Sequence, residues 1–139
     1  MNFEDFTRRG VVRKATSDAG LAKSLITGSS NVLISIKELS LNDNNSTVLM
    51  RELYESLRQI CEAISVYKGY KIYSHEAITS FLIDILDEKI IAESFDRYRK
   101  IRNSINYYGE SISLEEVKKA LIQIPNLIDT LKKKYLSNL

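Results

Sequence analysis

Cysteine, proline, glycine and histidine are all scarce in this chain of 139 residues, and each scarcity excludes something. Cys61 is the sole cysteine, so a disulfide framework and a cysteine-based zinc site are both ruled out. One histidine, His75, cannot make a histidine-rich metal site. One proline and five glycines are too few for a protein built on strands and tight turns, which moves the expectation to an all-α fold. No window is long and apolar enough to cross a membrane, and "MNFEDFTRRGVVRK" lacks the hydrophobic run of a secretory signal, so a cytoplasmic location is expected. There is no glycine-rich phosphate loop, no G-x-S-x-G and no cysteine–histidine pair, and no cofactor is implied. Glu115 and Glu116 are adjacent acids, but capping accounts for them, and no metal site is expected.

Apolar residues make up 44% and charged residues 27%, a soluble globular balance of a size that suits one domain spanning 1–139. The net charge of +2 is too small to argue nucleic-acid binding in bulk, so any basic site must be local. Residues 1–16 read as a short N-terminal extension in which "FEDFTRRG" is a candidate extra helix.

The apolar spacing predicts about four to five main helices with short connections, hence an up-and-down antiparallel bundle. Leu21, Leu25, Val32, Ile36 and Leu39 share a helical face, with Ser17 as N-cap. Gly28, Ser29 and Ser30 interrupt that face and suit either a close helix approach or a bend. "LSLNDNNS" reads as a loop. Leu49, Leu53, Leu57, Ile60, Cys61 and Ile64 mark the clearest helix, with Arg51, Glu55, Arg58 and Glu62 on its other faces and Gly69 as its stop. Ser74 caps a short helix with Ile78, Phe81, Leu82, Ile85 and Leu86 inward. A further helix runs from about Glu93 to Tyr108 and stops at Gly109. "ISLEEV" carries a capping box, Ser113 with Glu116, and a staple, Ile112 with Val117. The last helix has its stripe at Val117, Leu121, Ile124, Ile128, Leu131 and Tyr135, with a kink expected at Pro125 and "KKK" suiting its C-terminal dipole.

"RYRKIRNSINYYGE", Arg97 to Glu110, is the unusual stretch. Tyr98, Ile101, Ile105 and Tyr108 fall on one side, the expected core face. Arg99, Arg102, Asn103 and Asn106 fall on the other at i, i+3, i+4 and i+7. Two guanidiniums and two amides without a carboxylate suit a phosphate-bearing ligand or a self-complementary dimer seam. The plain alternative is a solvated face whose arginines find partners elsewhere, such as Asp96. "YKGYKIY" interleaves Tyr67, Tyr70 and Tyr73 with Lys68 and Lys71. That pattern fits either stacking on single-stranded RNA or half-buried packing at a helix junction.

"RNSINYY" followed by glycine resembles the signature region of the HEPN superfamily (higher eukaryotes and prokaryotes nucleotide-binding domains). "KGYKIYSHEAI" is similar to the segment joining two middle helices of its small prokaryotic members, and the likeness spans roughly Leu21 to Tyr135. The resemblance implies a homodimer with paired motif helices, binding RNA or a nucleotide. It implies either a metal-independent endoribonuclease or a non-catalytic module partnering a nucleotidyltransferase in a toxin–antitoxin pair. Carried over residue by residue, Arg102 is the motif arginine that contacts phosphate and Asn103 the polar residue after it. Tyr107 stands where the family has its proton-transferring histidine, and Arg99 and Asn106 extend the binding stripe. A tyrosine is a poor general base at neutral pH, so phosphate binding survives this departure better than catalysis does. His75 is the one side chain that could replace the missing base, provided that the fold brings it to the cleft. The tyrosine that a partner modifies in some family members would fall at Gly109, so that role does not transfer.

Overall fold

A computed structural model describes residues 1–139 as an all-α helical bundle with six helices and one two-stranded ribbon. The elements are α1 (Phe3–Arg8), β1 (Val12–Lys14), α2 (Ala19–Lys37), α3 (Ser46–Tyr67), β2 (Tyr70–Ile72), α4 (His75–Asp84), α5 (Lys89–Tyr108) and α6 (Leu114–Tyr135).

The centre is α3. Its apolar residues recur at three- and four-residue steps, and Leu49, Leu53, Leu57, Ile60, Cys61 and Ile64 are all fully buried. It packs most extensively on α2, then on α6, and also against α5, α4 and β2. The α2–α3 contact is close because small residues line it. Ser29 is buried and its hydroxyl donates to the Ser56 carbonyl at 2.8 Å. A methyl group at Gly28 would lie 3.3 Å from the Gln59 amide. The small residues at 28–30 therefore serve helix approach, and α2 is continuous through them.

Several sequence expectations are corrected here. The N-cap of α2 is Asp18, which accepts from the Leu21 amide, while Ser17 donates to the Tyr67 carbonyl. Leu21 and Leu39 are exposed; Ala22, Ser29 and Ile36 hold the buried line. Ile85 lies past the end of α4 and is part-exposed, whereas Leu86 is buried. α5 starts at Lys89, a full turn earlier than the spacing suggests, because Ile91, Ala92 and Phe95 carry its core face on from Tyr98 and Ile105. Tyr108 does not join that face and is 78% exposed. The expectations for the last helix hold: Ser113 caps α6 by accepting from the Glu116 amide, and α6 runs unbroken through Pro125.

The ribbon is the element that the sequence does not announce. Val12 pairs with Ile72, Arg13 with Lys71 and Lys14 with Tyr70, antiparallel. Three-residue strands are too short to show alternation. Residues 1–16 are packed into the bundle: Phe3 and Phe6 are buried in the same core as α3, and the Phe3 amide donates to Asp84 at 2.8 Å. Tyr70 packs its ring on Phe3 and Phe81, so this tyrosine of "YKGYKIY" is a packing residue.

Gly69 ends α3 at a φ of +89°, and a Cβ there would come within 2.7 Å of the Ala15 carbonyl oxygen. Gly109 ends α5 at a φ of +65° with open space around it. Both positions favour glycine, but only Gly69 has a backbone neighbour that cannot yield. Gly109→Ala should therefore cost about 1–2 kcal/mol from the left-handed conformation alone. Gly69→Ala should cost clearly more, read as the difference in urea midpoints between the two variants.

Candidate functional site

The site grows out of the tip of α4. Ser74 has extended backbone and its hydroxyl accepts from the Ala77 amide, so α4 begins at His75. That start places the imidazole over α3, where the Tyr54 hydroxyl meets His75 Nδ1 at 2.8 Å. Tyr54 is 1% exposed and its ring is wedged between His75 and Phe95, with centroids 5.6 and 5.5 Å away. Its hydroxyl has no other partner in the fold, so its proton goes to Nδ1. The neutral imidazole then keeps its own proton on Nε2 and presents an N–H donor.

The charges of three arginines, from two helices, act on this pair. Arg58 on α3 is held by Glu55 at 2.6 Å and by Glu62 at 2.6 Å, contacts that raise its pKa further despite burial. Arg99 on α5 binds Asp96 through two nitrogens, at 2.8 and 2.9 Å, and its side chain is only 14% exposed. Asp96 also accepts from Thr79 at 3.1 Å and pairs with Lys100. Burial acts to raise the Asp96 pKa, but Lys100, Arg99 and Thr79 together hold it below the usual carboxylate range. Arg102 on α5 differs from both. Its only side-chain partner is the Asn103 oxygen at 3.3 Å, and no carboxylate reaches it.

These charges act on the His75–Tyr54 pair. Burial first, then Arg102, Arg58 and Arg99, depress the His75 pKa against an opposing effect from Glu55. Burial pushes the Tyr54 hydroxyl well above its ordinary value, against a pull from Arg102. His75 is therefore neutral at physiological pH, and Tyr54 stays protonated. His75 also lines a cavity of about 200 Å³, together with Arg58, Glu62, Tyr73 and Ser74 among others. Tyr73 is 60% exposed, and the Arg13 guanidinium lies 5.9 Å above its ring.

The fold thus separates the residues singled out in the sequence. Arg99 and Arg102 act on His75 through their charges, without a hydrogen bond to it. Asn103 is half-buried beside Arg102. Asn106 is exposed and makes no side-chain hydrogen bond, and Tyr107 is 71% exposed and likewise unbonded. The stripe is not free of carboxylates in space, because Asp96 neutralises Arg99. Tyr54 and Arg58 are the members that spacing did not flag. They lie four residues apart on α3, so a shared face was readable, but nothing in the sequence links that face to position 75. No group of acids, cysteine and histidine that could hold a metal ion is present. Cys61 is fully buried, its thiol pushed up to about 12, and is remote from nucleophilic chemistry. No helix is long and apolar enough to cross a membrane.

Comparison with family models, curated proteins and solved structures gives no match to this chain.

The depressed His75 pKa has a consequence for stability. The unfolded chain, with an ordinary histidine near 6.5, takes up a proton at a higher pH than the folded chain does. Stability is thus complete above about pH 6.5 and falls as pH drops through the interval below it. Urea midpoints measured from pH 7.5 to 5 should decline, and His75→Gln should flatten that decline.

Proposed function

We propose that this chain binds the phosphate of RNA or of a nucleotide at the cluster formed by Arg102, Asn103, His75 and Tyr54. The observation that carries this reading is the guanidinium of Arg102. Around His75, the other two arginines are consumed by Glu55, Glu62 and Asp96, while Arg102 keeps a full, partly sheltered charge and no acid. A desolvated guanidinium without a counter-ion is costly unless an anion completes it. Phosphate fits its forked donors. Tyr73, with Arg13, Lys14 and Lys71 on the adjoining ribbon, offers an exposed aromatic face among cations, which suits a nucleobase and its backbone.

This is the ligand class that the HEPN resemblance implies, reached by a partly different set of residues. Binding is supported better than cleavage. Tyr107, at the position of the family's histidine, points into solvent, and the one imidazole has its Nδ1 lone pair engaged by Tyr54. A metal-independent endoribonuclease would need a free proton acceptor that neither residue supplies.

One observation favours a second reading, a non-catalytic interaction module. Tyr107 and Tyr108 are adjacent, 71% and 78% exposed, and unbonded at the end of α5. Exposed paired tyrosines suit a protein interface, with a nucleotidyltransferase partner or a second copy of this chain as the occupant. Light scattering at micromolar concentration tests the second copy: a lone species near 15.9 kDa removes the homodimer.

The two arginines of α5 distinguish phosphate binding from structural support. Arg102→Ala should weaken binding of a short single-stranded RNA by roughly 1.5–3 kcal/mol, about ten- to a hundredfold, with the fold intact. Arg99→Ala should instead lower the thermal midpoint, because it leaves Asp96 half-buried with a weaker set of partners. Tyr107→Phe should leave binding unchanged. Fluorescence anisotropy at two salt concentrations and circular dichroism give the readouts, and wild-type affinity in Arg102→Ala would sink the reading.

A further inference from the structure

We infer that the cavity between α3, the ribbon and the start of α4 takes a single unpaired guanine base, read by the Arg58–Glu62 pair and stacked on Tyr73. The inference rests on the nucleic-acid reading and adds the base to it, through residues other than Arg102.

The cavity has a volume of about 200 Å³. Sites that enclose a whole small molecule run from about 300 to 1,000 Å³, so this one has room for one planar ring system rather than for a nucleotide. Ile72 and Ile78 supply its apolar walls. Tyr73 also lines it and is 60% exposed. The Arg13 guanidinium lies 5.9 Å from that ring, and no other aromatic side chain packs on it. A flat ligand can therefore stack on the tyrosine and turn its edge inward.

What the edge meets is set by α3. Arg58 and Glu62 both line the cavity and touch each other, Nη1 to Oε2, at 2.6 Å. Glu55 already engages the same guanidinium through Nε and Nη2, at 2.9 and 2.6 Å. One cation is thus shared by two carboxylates, and no other cation bridges to either of them. A surplus negative charge is left, and Glu62, with its side chain 31% exposed, has its Oε1 unbonded. That charge repels a phosphate and favours a neutral ligand with N–H donors. On the guanidinium, three of the five N–H groups are engaged, so donors remain next to the free carboxylate oxygen.

An acceptor and a donor side by side discriminate among bases. Guanine presents N1–H and its N2 amino group as neighbouring donors to the carboxylate, with O6 next in line for the guanidinium. Adenine and cytosine present a single amino group. Uracil presents one N–H flanked by two carbonyl oxygens, which the carboxylate repels. All these atoms lie on the edge used in base pairing, so the base must come from a single strand.

Three RNA pentamers with the same phosphates test this on the full chain by fluorescence anisotropy. Each has uridine at four positions; the central base is guanine, hypoxanthine (as inosine) or uracil. Inosine is guanosine without the N2 amino group. The guanine pentamer should bind about tenfold tighter than the inosine pentamer, the scale of one charge-assisted hydrogen bond, and the all-uridine pentamer should bind most weakly. This comparison needs no variant, so it stands even where a substitution disturbs the fold. Glu62→Gln removes the charge, leaves Glu55 on Arg58, and should make the guanine and inosine pentamers equal. Tyr73→Ala should weaken both about tenfold and keep their ratio. Equal affinity for the two in the wild type, or a preference that survives Glu62→Gln, overturns the proposal. If the two bind equally and Arg102→Ala weakens every pentamer, phosphate binding stands and base reading falls. If the guanine preference holds while Arg102→Ala changes nothing, the base pocket stands and the phosphate site falls. If no pentamer binds at low salt, both fall.

Discussion

Burial of α3 is the constraint on which the rest of the molecule depends. α2, α4, α5, α6 and β2 all pack against this one helix, and thirteen of its residues are buried. A helix enclosed to that degree cannot rotate or slide without opening the core, because interiors are packed as densely as organic crystals. Tyr54 inherits that rigidity. Its ring belongs to the core with Phe95, while its hydroxyl sits at the core's edge and finds His75. The polar cluster is thus anchored by an aromatic whose position is set by packing rather than by the cluster itself.

Around that anchor, the distribution of acids decides what each arginine does. Arg58 is captured by Glu55 and Glu62, three and four residues away on its own helix, and Arg99 by Asp96, three residues before it. Arg102 escapes because the residues one turn before it are Tyr98 and Arg99 and those one turn after it are Ile105 and Asn106. The free guanidinium is therefore a local property of the α5 sequence. What makes it a site is tertiary: α4 brings the histidine, and α3 brings the tyrosine.

This division explains what could be read in advance. Helices α3 and α6, with long amphipathic stripes, and the stops at Gly69 and Gly109 were legible because each is a local pattern with a local cause. The all-α architecture followed from them. The ribbon was not legible, since strands of three residues carry no periodicity and depend on a partner 56 or more positions away. The exposed end of α5 was misread for a related reason. Tyr108 continues the core face by helical spacing, but it sits at the helix end, where no neighbouring element is left to cover it. Arg99, Arg102 and Asn103 were legible as a stripe; that Arg99 is neutralised while Arg102 is not depends on which side of the stripe Asp96 reaches.

The same geometry bears on Tyr107, which stands where the resemblance in sequence leads to the expectation of a histidine. Five positions separate Tyr107 from Arg102, a rotation of about 140° at 100° per residue, so the two side chains leave the helix in different directions. Asn106, four positions on, lies only about 40° away from Arg102, yet it too ends in solvent because α5 outruns α4 at this point. Beyond Arg102, Ile105 is the α5 residue that still reaches the core, while Asn106, Tyr107 and Tyr108 are exposed. A polar side chain held half-buried against α3 can come from the start of α4, whose first residue packs there. His75 takes that place because Ser74 starts the helix one residue earlier, fixing the imidazole over Tyr54. The imidazole held there is fixed by a core tyrosine, so its position is set by the packing of α3 rather than by anything on α5.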